Sequence, residues 1–198
     1  MITRTMKKED CSSIISIHLR SFQEFFLTFL GPAFLSIYYS AIIADSSGIA
    51  IVAEEENNVV GFVAGSTQPS GHYKRLLKNH FIGFFRASLG GFLRKPAILP
   101  RLLRAFSMPN QQLPAENCAT LMSVAVDPDC QGQGIGKLLV KAFLDEARSR
   151  GSQYVNLTTD AVENDSANHF YRYLGFALHR KFTTPEGRNM NEYLIKLL

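Results

Sequence analysis

A chain of 198 residues, 46% hydrophobic and 19% charged, has room for one domain with a sizeable core, and its composition excludes the disordered and collagen-like classes. No apolar run approaches the roughly 18 residues of a membrane span, and the five histidines show no metal-ligand spacing, so no metal is expected. The net charge of +4 is uneven: between Ser66 and Ala115 lie eight Lys and Arg and no acid, which leaves the rest of the chain net acidic.

The opening, MITRTMKKED, has no apolar signal core and starts with a short strand-like piece. KKEDCSSIISIHLRSF follows, with Ile14, Ile15, Ile17 and Leu19 at the spacing of an amphipathic helix. Pro32 suits the first turn of a second helix through AFLSIYYSAII. IAIVAEEE and VVGFVAGST read as strands joined at Asn57-Asn58, a hairpin pattern. From Gln68 to Pro114 the chain is aromatic, basic and punctuated by Gly90, Gly91, Pro96 and Pro100; it reads as two or three short helices inserted between strands. CATLMSVAV resumes the sheet. A helix is predicted from about Gly134 to Arg150, with Ile135, Leu138, Leu139, Ala142, Phe143 and Ala147 on one face and Gly151 closing it. QYVNLTT is a strand, DSANHFYRYL a short helix closed by Gly175, and FALHRKF and NEYLIKLL two last strands around TPEGRN. The three cysteines, Cys11, Cys118 and Cys130, show no paired spacing and read as free thiols in a reducing, cytoplasmic setting.

The most informative stretch is DPDCQGQGIGKLLV, where Gly132, Gly134 and Gly136 alternate between a strand and a helix. The first turn of a helix leaves N–H groups without partners, and the helix dipole adds positive charge there. Glycines let an anion approach that backbone, so phosphate is the natural ligand. Two known phosphate loops fail on spacing. A P-loop needs Ser or Thr after Gly136-Lys137, where Leu138 stands, and a glycine where Gln131 stands. The dinucleotide fingerprint needs a different glycine interval.

SVAVDPDCQGQGIGKLLVKAFLDEAR, with VENDSANHFYRYLGF downstream, resembles the GNAT-type N-acetyltransferase superfamily. The family's acetyl-CoA motif, Q/R-x-x-G-x-G/A, is matched by Gln131, Gly134 and Gly136. Its second motif is matched by Asn164, Ala167, Phe170, Tyr171, Gly175 and Phe176. The resemblance is strong from Leu121 to Phe176, weaker over Met1 to Gly65, and fails over the insertion. It implies an α/β (α+β) fold over residues 1–198: a mixed, mainly antiparallel central sheet flanked by helices, splayed to admit acetyl-CoA, with a helical insertion at about 68–114. It further implies that backbone groups of Val124, Ala125 and Val126 meet the pantetheine arm and thioester carbonyl. The amides of Gln131, Gly132, Gln133, Gly134, Ile135, Gly136 and Lys137 would hold the pyrophosphate, and Asn164 would reach the cofactor arm.

By the same resemblance Tyr171 is the acid that protonates the departing thiolate, a task that suits a phenol with a pKa of about 10; the reading without chemistry is a packed core aromatic. The base stays open. Relatives that acetylate ribosomal-protein N-termini carry a glutamate five residues before the asparagine, where this chain has Thr159. Asp160 and Glu163 are candidates, or water relays the proton, or the amine arrives neutral. For Tyr73 to Met108 three readings stand: an acceptor lid facing an acidic substrate, an interfacial membrane helix, or an amphipathic insertion packed on the core. No nucleic-acid partner is expected, because no recognition module accompanies the charge. The expected activity is transfer of acetyl from acetyl-CoA to a small-molecule amine such as an amino sugar or amino-acid derivative, by a monomer or homodimer. The alternatives are a protein N-terminal or lysine acetyltransferase and a non-catalytic acyl-CoA sensor.

Overall fold

A computed structural model describes residues 1–23, 26–70, 75 and 115–197. The insertion expected at 68–114 therefore lies outside the described residues, apart from 68–70 and Arg75, and the three readings of Tyr73 to Met108 lie there with it.

In chain order the elements are β1 (Ile2–Thr5), α1 (Cys11–Ser21), α2 (Phe26–Phe29), α3 (Pro32–Ala44), β2 (Gly48–Glu55), β3 (Asn58–Ser66), β4 (Cys118–Val126), α4 (Ile135–Ser149), β5 (Tyr154–Asp160), α5 (Asp165–Tyr173), β6 (Ala177–Thr183) and β7 (Asn189–Lys196). The strands form one seven-stranded sheet in the order β1-β2-β3-β4-β5-β7-β6. Every neighbouring pair is antiparallel except β4 and β5, which run parallel. The expected mixed, mainly antiparallel sheet is therefore the one observed, and α4 is the crossover that a parallel pair requires.

The two faces of the sheet carry two cores. On one, α1 and α3 bury Ile14, Ile17, Leu35, Tyr39 and Ile42 against Val52, Phe62, Ala64 and Ala125. On the other, α4 and α5 bury Leu139, Val140, Phe143 and Tyr171 against Ile51, Val63, Leu121, Val155 and Leu157. The near-continuous apolar runs of β2 and β3 follow from burial on both faces, whereas β6 is an edge strand exposed along most of its length. α4 is buried through Ile135, Leu139, Val140, Phe143 and Ala147. Leu138, placed by period alone on that face, is only half-buried, because the i, i+4 row from Ile135 faces the sheet and Leu138 flanks it. α2 has no counterpart in the sequence pattern, since four residues are too few to show a helical period.

The α1–α3 core contains a buried histidine. His18 is 2% exposed. Its Nδ1 shares a 2.7 Å hydrogen bond with the Tyr39 hydroxyl, its ring packs on Phe22 and Phe62, and its Nε2 has no hydrogen-bond partner among the described residues. Burial pushes its pKa down to about 4, because a charged ring there would lose its water. Between the ordinary pKa of 6.5 and about 4 the unfolded chain binds a proton that the folded chain refuses. Stability is thus fully present above pH 6.5 and lost as pH falls through that window, by roughly 3 kcal/mol. Asp10, whose carboxyl the Arg4 guanidinium holds below its usual range, adds its own loss only at lower pH. Urea midpoints should fall from pH 7 to pH 4 and fall less in His18→Gln; equal slopes for the two proteins would contradict this account.

Candidate active site

The parallel pair is joined for only three residues: Cys118, Ala119 and Thr120 face Tyr154, Val155 and Asn156. Beyond Thr120 the two strands separate, and β4 continues to Val126 with no neighbour on that side among the described residues. A bulge sits at the parting. Ser123 pairs with Ala64 and Leu121 with Gly65, so Met122 has no partner on β3; one extra residue bends a strand and increases its local twist. Gly65 permits this packing, because a Cβ there would lie 2.2 Å from the Thr120 carbonyl oxygen and 2.7 Å from the Phe143 ring. Where the strands diverge, Val124, Ala125 and Val126 of β4 line a cleft of about 710 Å³.

The bend from Gln131 to Lys137 closes one end of that cleft. Gly132 and Gly134 take φ values of 80° and 79°, the left-handed region that strains any residue with a Cβ. A Cβ built at either position meets nothing within 4 Å, so the backbone faces open space. Among the described residues the amides from Gln131 to Lys137 find no acceptor and no carboxylate lines the cleft. Unpaired donors at a helix N-terminus, next to room and without competing negative charge, fit a phosphate. The bend is anchored from behind. Arg20 of α1 donates to both Asp127 oxygens at 2.9 and 3.0 Å and to Asp129 at 2.8 Å, while Asp127 also accepts from the Asp129 amide.

The other wall is α5. Tyr171 lines the cleft, is 9% exposed, and packs edge-on against Phe170 and Phe176. Burial pushes its pKa up to about 12, since a phenolate would be poorly solvated there. Its hydroxyl has no hydrogen-bond partner among the described residues yet is not sealed from solvent. Of the residues singled out from sequence, Val124, Ala125, Val126, Gln131, Gly132, Gly134, Ile135, Gly136, Lys137 and Tyr171 meet around this one cleft; Gln133 and Asn164 do not line it. The Asn164 amide donates instead to Thr159 Oγ1 at 2.7 Å. Asp160 accepts from Arg188 Nε and Nη2 at 3.1 and 2.6 Å, an ion pair that ties the β6–β7 turn to the end of β5. Glu163 is exposed. Arg75, the described member of the basic segment, donates to the Gln68 and Ser70 carbonyls and to Ser47 Oγ.

Sequence reasoning passed over several residues. Ser21 and Phe22 bring the end of α1 to the cleft, a contact across more than 100 residues that no local pattern carries. Asn168 is 5% exposed and uses both ends of its amide. Nδ2 donates to the Asp160 and Asn164 carbonyls, and Oδ1 accepts from Asn191 and from the Tyr193 hydroxyl. One side chain thus fixes α5 to the ends of β5 and β7. The signal was there, a polar residue one helical turn before Tyr171 on the inward face, but its partners lie on other strands. Among the described residues no group of three or more His, Cys, Asp or Glu converges, and no helix is long and apolar enough to cross a membrane.

Comparison with known proteins gives consistent results. The profile of the Acetyltransferase (GNAT) family matches residues 12–176. The N-alpha-acetyltransferase RimI of Mycobacterium tuberculosis is 33% identical over 132 residues, 64% of this chain and 73% of that one. A mycothiol acetyltransferase of Cellulomonas flavigena is 45% identical over 64 residues, 32% of this chain; the chain spans only 18% of that relative's length. Among solved structures, yncA of Salmonella typhimurium with its cofactor acetyl-CoA superposes with a TM-score of 0.63 at 16% identity, covering 100% of this chain and 94% of that one.

The Asn168 network makes a stability prediction. Asn168→Ala takes the side-chain partner from the Asp160 carbonyl and from the Asn191 and Tyr193 donors, while the Asn164 carbonyl keeps the Asn168 main-chain N–H, and should cost about 2–4 kcal/mol in urea unfolding. Asn168→Asp keeps the acceptors but cannot donate to Asp160 and Asn164, and should also destabilise. A loss below about 1 kcal/mol for both would show that the network is not holding α5.

Proposed function

Since the chain belongs to the GNAT acetyltransferase family, we propose that it is an acetyl-CoA-dependent N-acetyltransferase whose acceptor, the primary amine of a small molecule, attacks the thioester directly. The observation that carries the reading is the convergence of the parted β4 and β5, the open amides of Gln131–Lys137 and the buried phenol of Tyr171 on one cleft. Acetyl-CoA supplies an activated acetyl group as its thioester. The amides from Gln131 to Lys137 bind the diphosphate, and the main chain of Val124–Val126 aligns the pantetheine arm and polarises the thioester carbonyl, where negative charge grows during attack. Asn164, expected to reach the arm, lies outside the cleft lining with its amide bonded to Thr159, so it is given no part in holding the coenzyme. Tyr171 stays protonated at neutral pH, because burial disfavours its phenolate, and gives that proton to the departing sulfur. Asp160 holds Arg188, and neither Asp160 nor Glu163 lines the cleft. This supports loss of the ammonium proton to water before attack rather than to either of these two carboxylates.

The small-molecule reading is supported by Thr159, which stands where N-terminal acetyltransferases of ribosomal proteins carry glutamate and which accepts the Asn164 amide. A protein N-terminus is the second reading, favoured by the 33% identity to RimI over 73% of that protein's length. A panel of amino sugars, amino-acid amides and peptides beginning with alanine, scored for release of free thiol, separates the two. Turnover of the alanine peptides alone overturns the first reading, and CoA binding without transfer to any amine overturns both.

Two outcomes test the residues. Tyr171→Phe should lower kcat by roughly 10²–10⁴ while CoA affinity in calorimetry stays the same; a rate near that of the parent removes Tyr171 from the acid's role. Gly134→Val should weaken CoA binding about tenfold or more, because a β-branched residue resists the left-handed backbone and its side chain fills the space for phosphate. Unchanged affinity would contradict the diphosphate assignment.

A further inference from the structure

Tyr173 has no packing role that explains it. It is 68% exposed, in contrast to Phe170 and Tyr171 on the same helix, which pack into the α4–α5 core. It lines the cleft, as does Lys137, whose Nζ stands 5.3 Å from the Tyr173 ring centroid. Among the described residues Lys137 makes no ion pair and no acid lines the cleft to neutralise it. A cation over one face of an exposed aromatic ring, beside a row of open amides, is a surface for a ligand that is both planar and anionic.

We propose that Lys137 and Tyr173 seat the 3′-phosphoadenosine end of the coenzyme: the free face of the Tyr173 ring stacks on adenine and the Lys137 ammonium pairs with the ribose 3′-phosphate. This rests on the assignment of the diphosphate to Gln131–Lys137. From there the chain of the ligand has two directions. The pantetheine arm runs inward along β4 toward Tyr171, and the nucleoside turns outward to the exposed rim, where Tyr173 and Lys137 stand. Stacking on an aromatic side chain is worth about 1–3 kcal/mol per base, so the pair contributes ground-state affinity at a point remote from the reacting carbonyl.

Calorimetry on the full chain tests this with three ligands: CoA, dephospho-CoA, which lacks the 3′-phosphate, and 4′-phosphopantetheine, which lacks the adenosine 3′,5′-bisphosphate half and keeps one phosphate of the diphosphate. Tyr173→Ala should weaken CoA and dephospho-CoA alike, by roughly five- to a hundredfold, and leave 4′-phosphopantetheine unchanged, whereas Tyr173→Phe should bind like the parent. Lys137→Gln should weaken CoA more than dephospho-CoA. The exposure of both side chains keeps the thermal midpoint of each variant near that of the parent, which circular dichroism verifies. Full CoA affinity in Tyr173→Ala overturns the stacking seat and leaves the diphosphate assignment standing. An equal loss for 4′-phosphopantetheine overturns it as well, since the effect would then be a displaced α5. Failure of the parent to bind CoA overturns the underlying site and this inference together.

Discussion

The structure turns on the short pairing of β4 with β5. Three residue pairs hold the strands together at Cys118–Thr120 and Tyr154–Asn156, and beyond them each strand is kept in place by its other neighbour. β4 stays in register with β3 out to Val126, and β5 with β7 out to Asp160. A sheet interrupted in this way exposes main-chain N–H and C=O groups that would elsewhere be paired, and such groups need a ligand, another chain or water. Here they line a cleft, with a helix N-terminus at one end and a buried phenol in its wall.

The elements that hold the cleft open come from distant parts of the chain. From one face, α1 reaches over: Arg20 grips Asp127 and Asp129, and Ser21 Oγ approaches the Val126 carbonyl at 3.3 Å. On the opposite face, α5 is locked by Asn168 to the ends of β5 and β7. The bend between them need only supply donors, because its position is set by its neighbours. This division suits a site in which main-chain groups bind and one side chain carries a proton: backbone donors cost little reorganisation if the scaffold is rigid.

The polar network on the far side of β5 serves the same rigidity. Thr120 donates to Asn156 at 2.6 Å, the Asn156 amide donates to Glu192 at 2.9 Å, and Arg180 completes the Glu192 carboxylate. These bonds span β4, β5, β7 and β6 just where the first two begin to part. A buried carboxylate is tolerable because both oxygens are bonded and a guanidinium balances its charge.

Sequence alone settled what is local and periodic. The alternation in CATLMSVAV, the proline that opens α3, the glycines that end α4 and α5, and the spacing of Gln131, Gly134 and Gly136 each state a preference of a few consecutive residues, and each element appears where that preference puts it. Most of the candidate site was legible for the same reason, since the bend and the α5 motif are short contiguous runs. What the tertiary structure decided is everything that depends on two distant segments meeting: the bulge at Met122, the Arg20 clamp, Phe22 in the cleft, the commitment of Asp160 to Arg188, and the Asn164 amide turned to Thr159. A hydrogen bond needs a partner within about 3 Å in the right direction, and that condition is met only once the sheet has brought residues a hundred positions apart into contact.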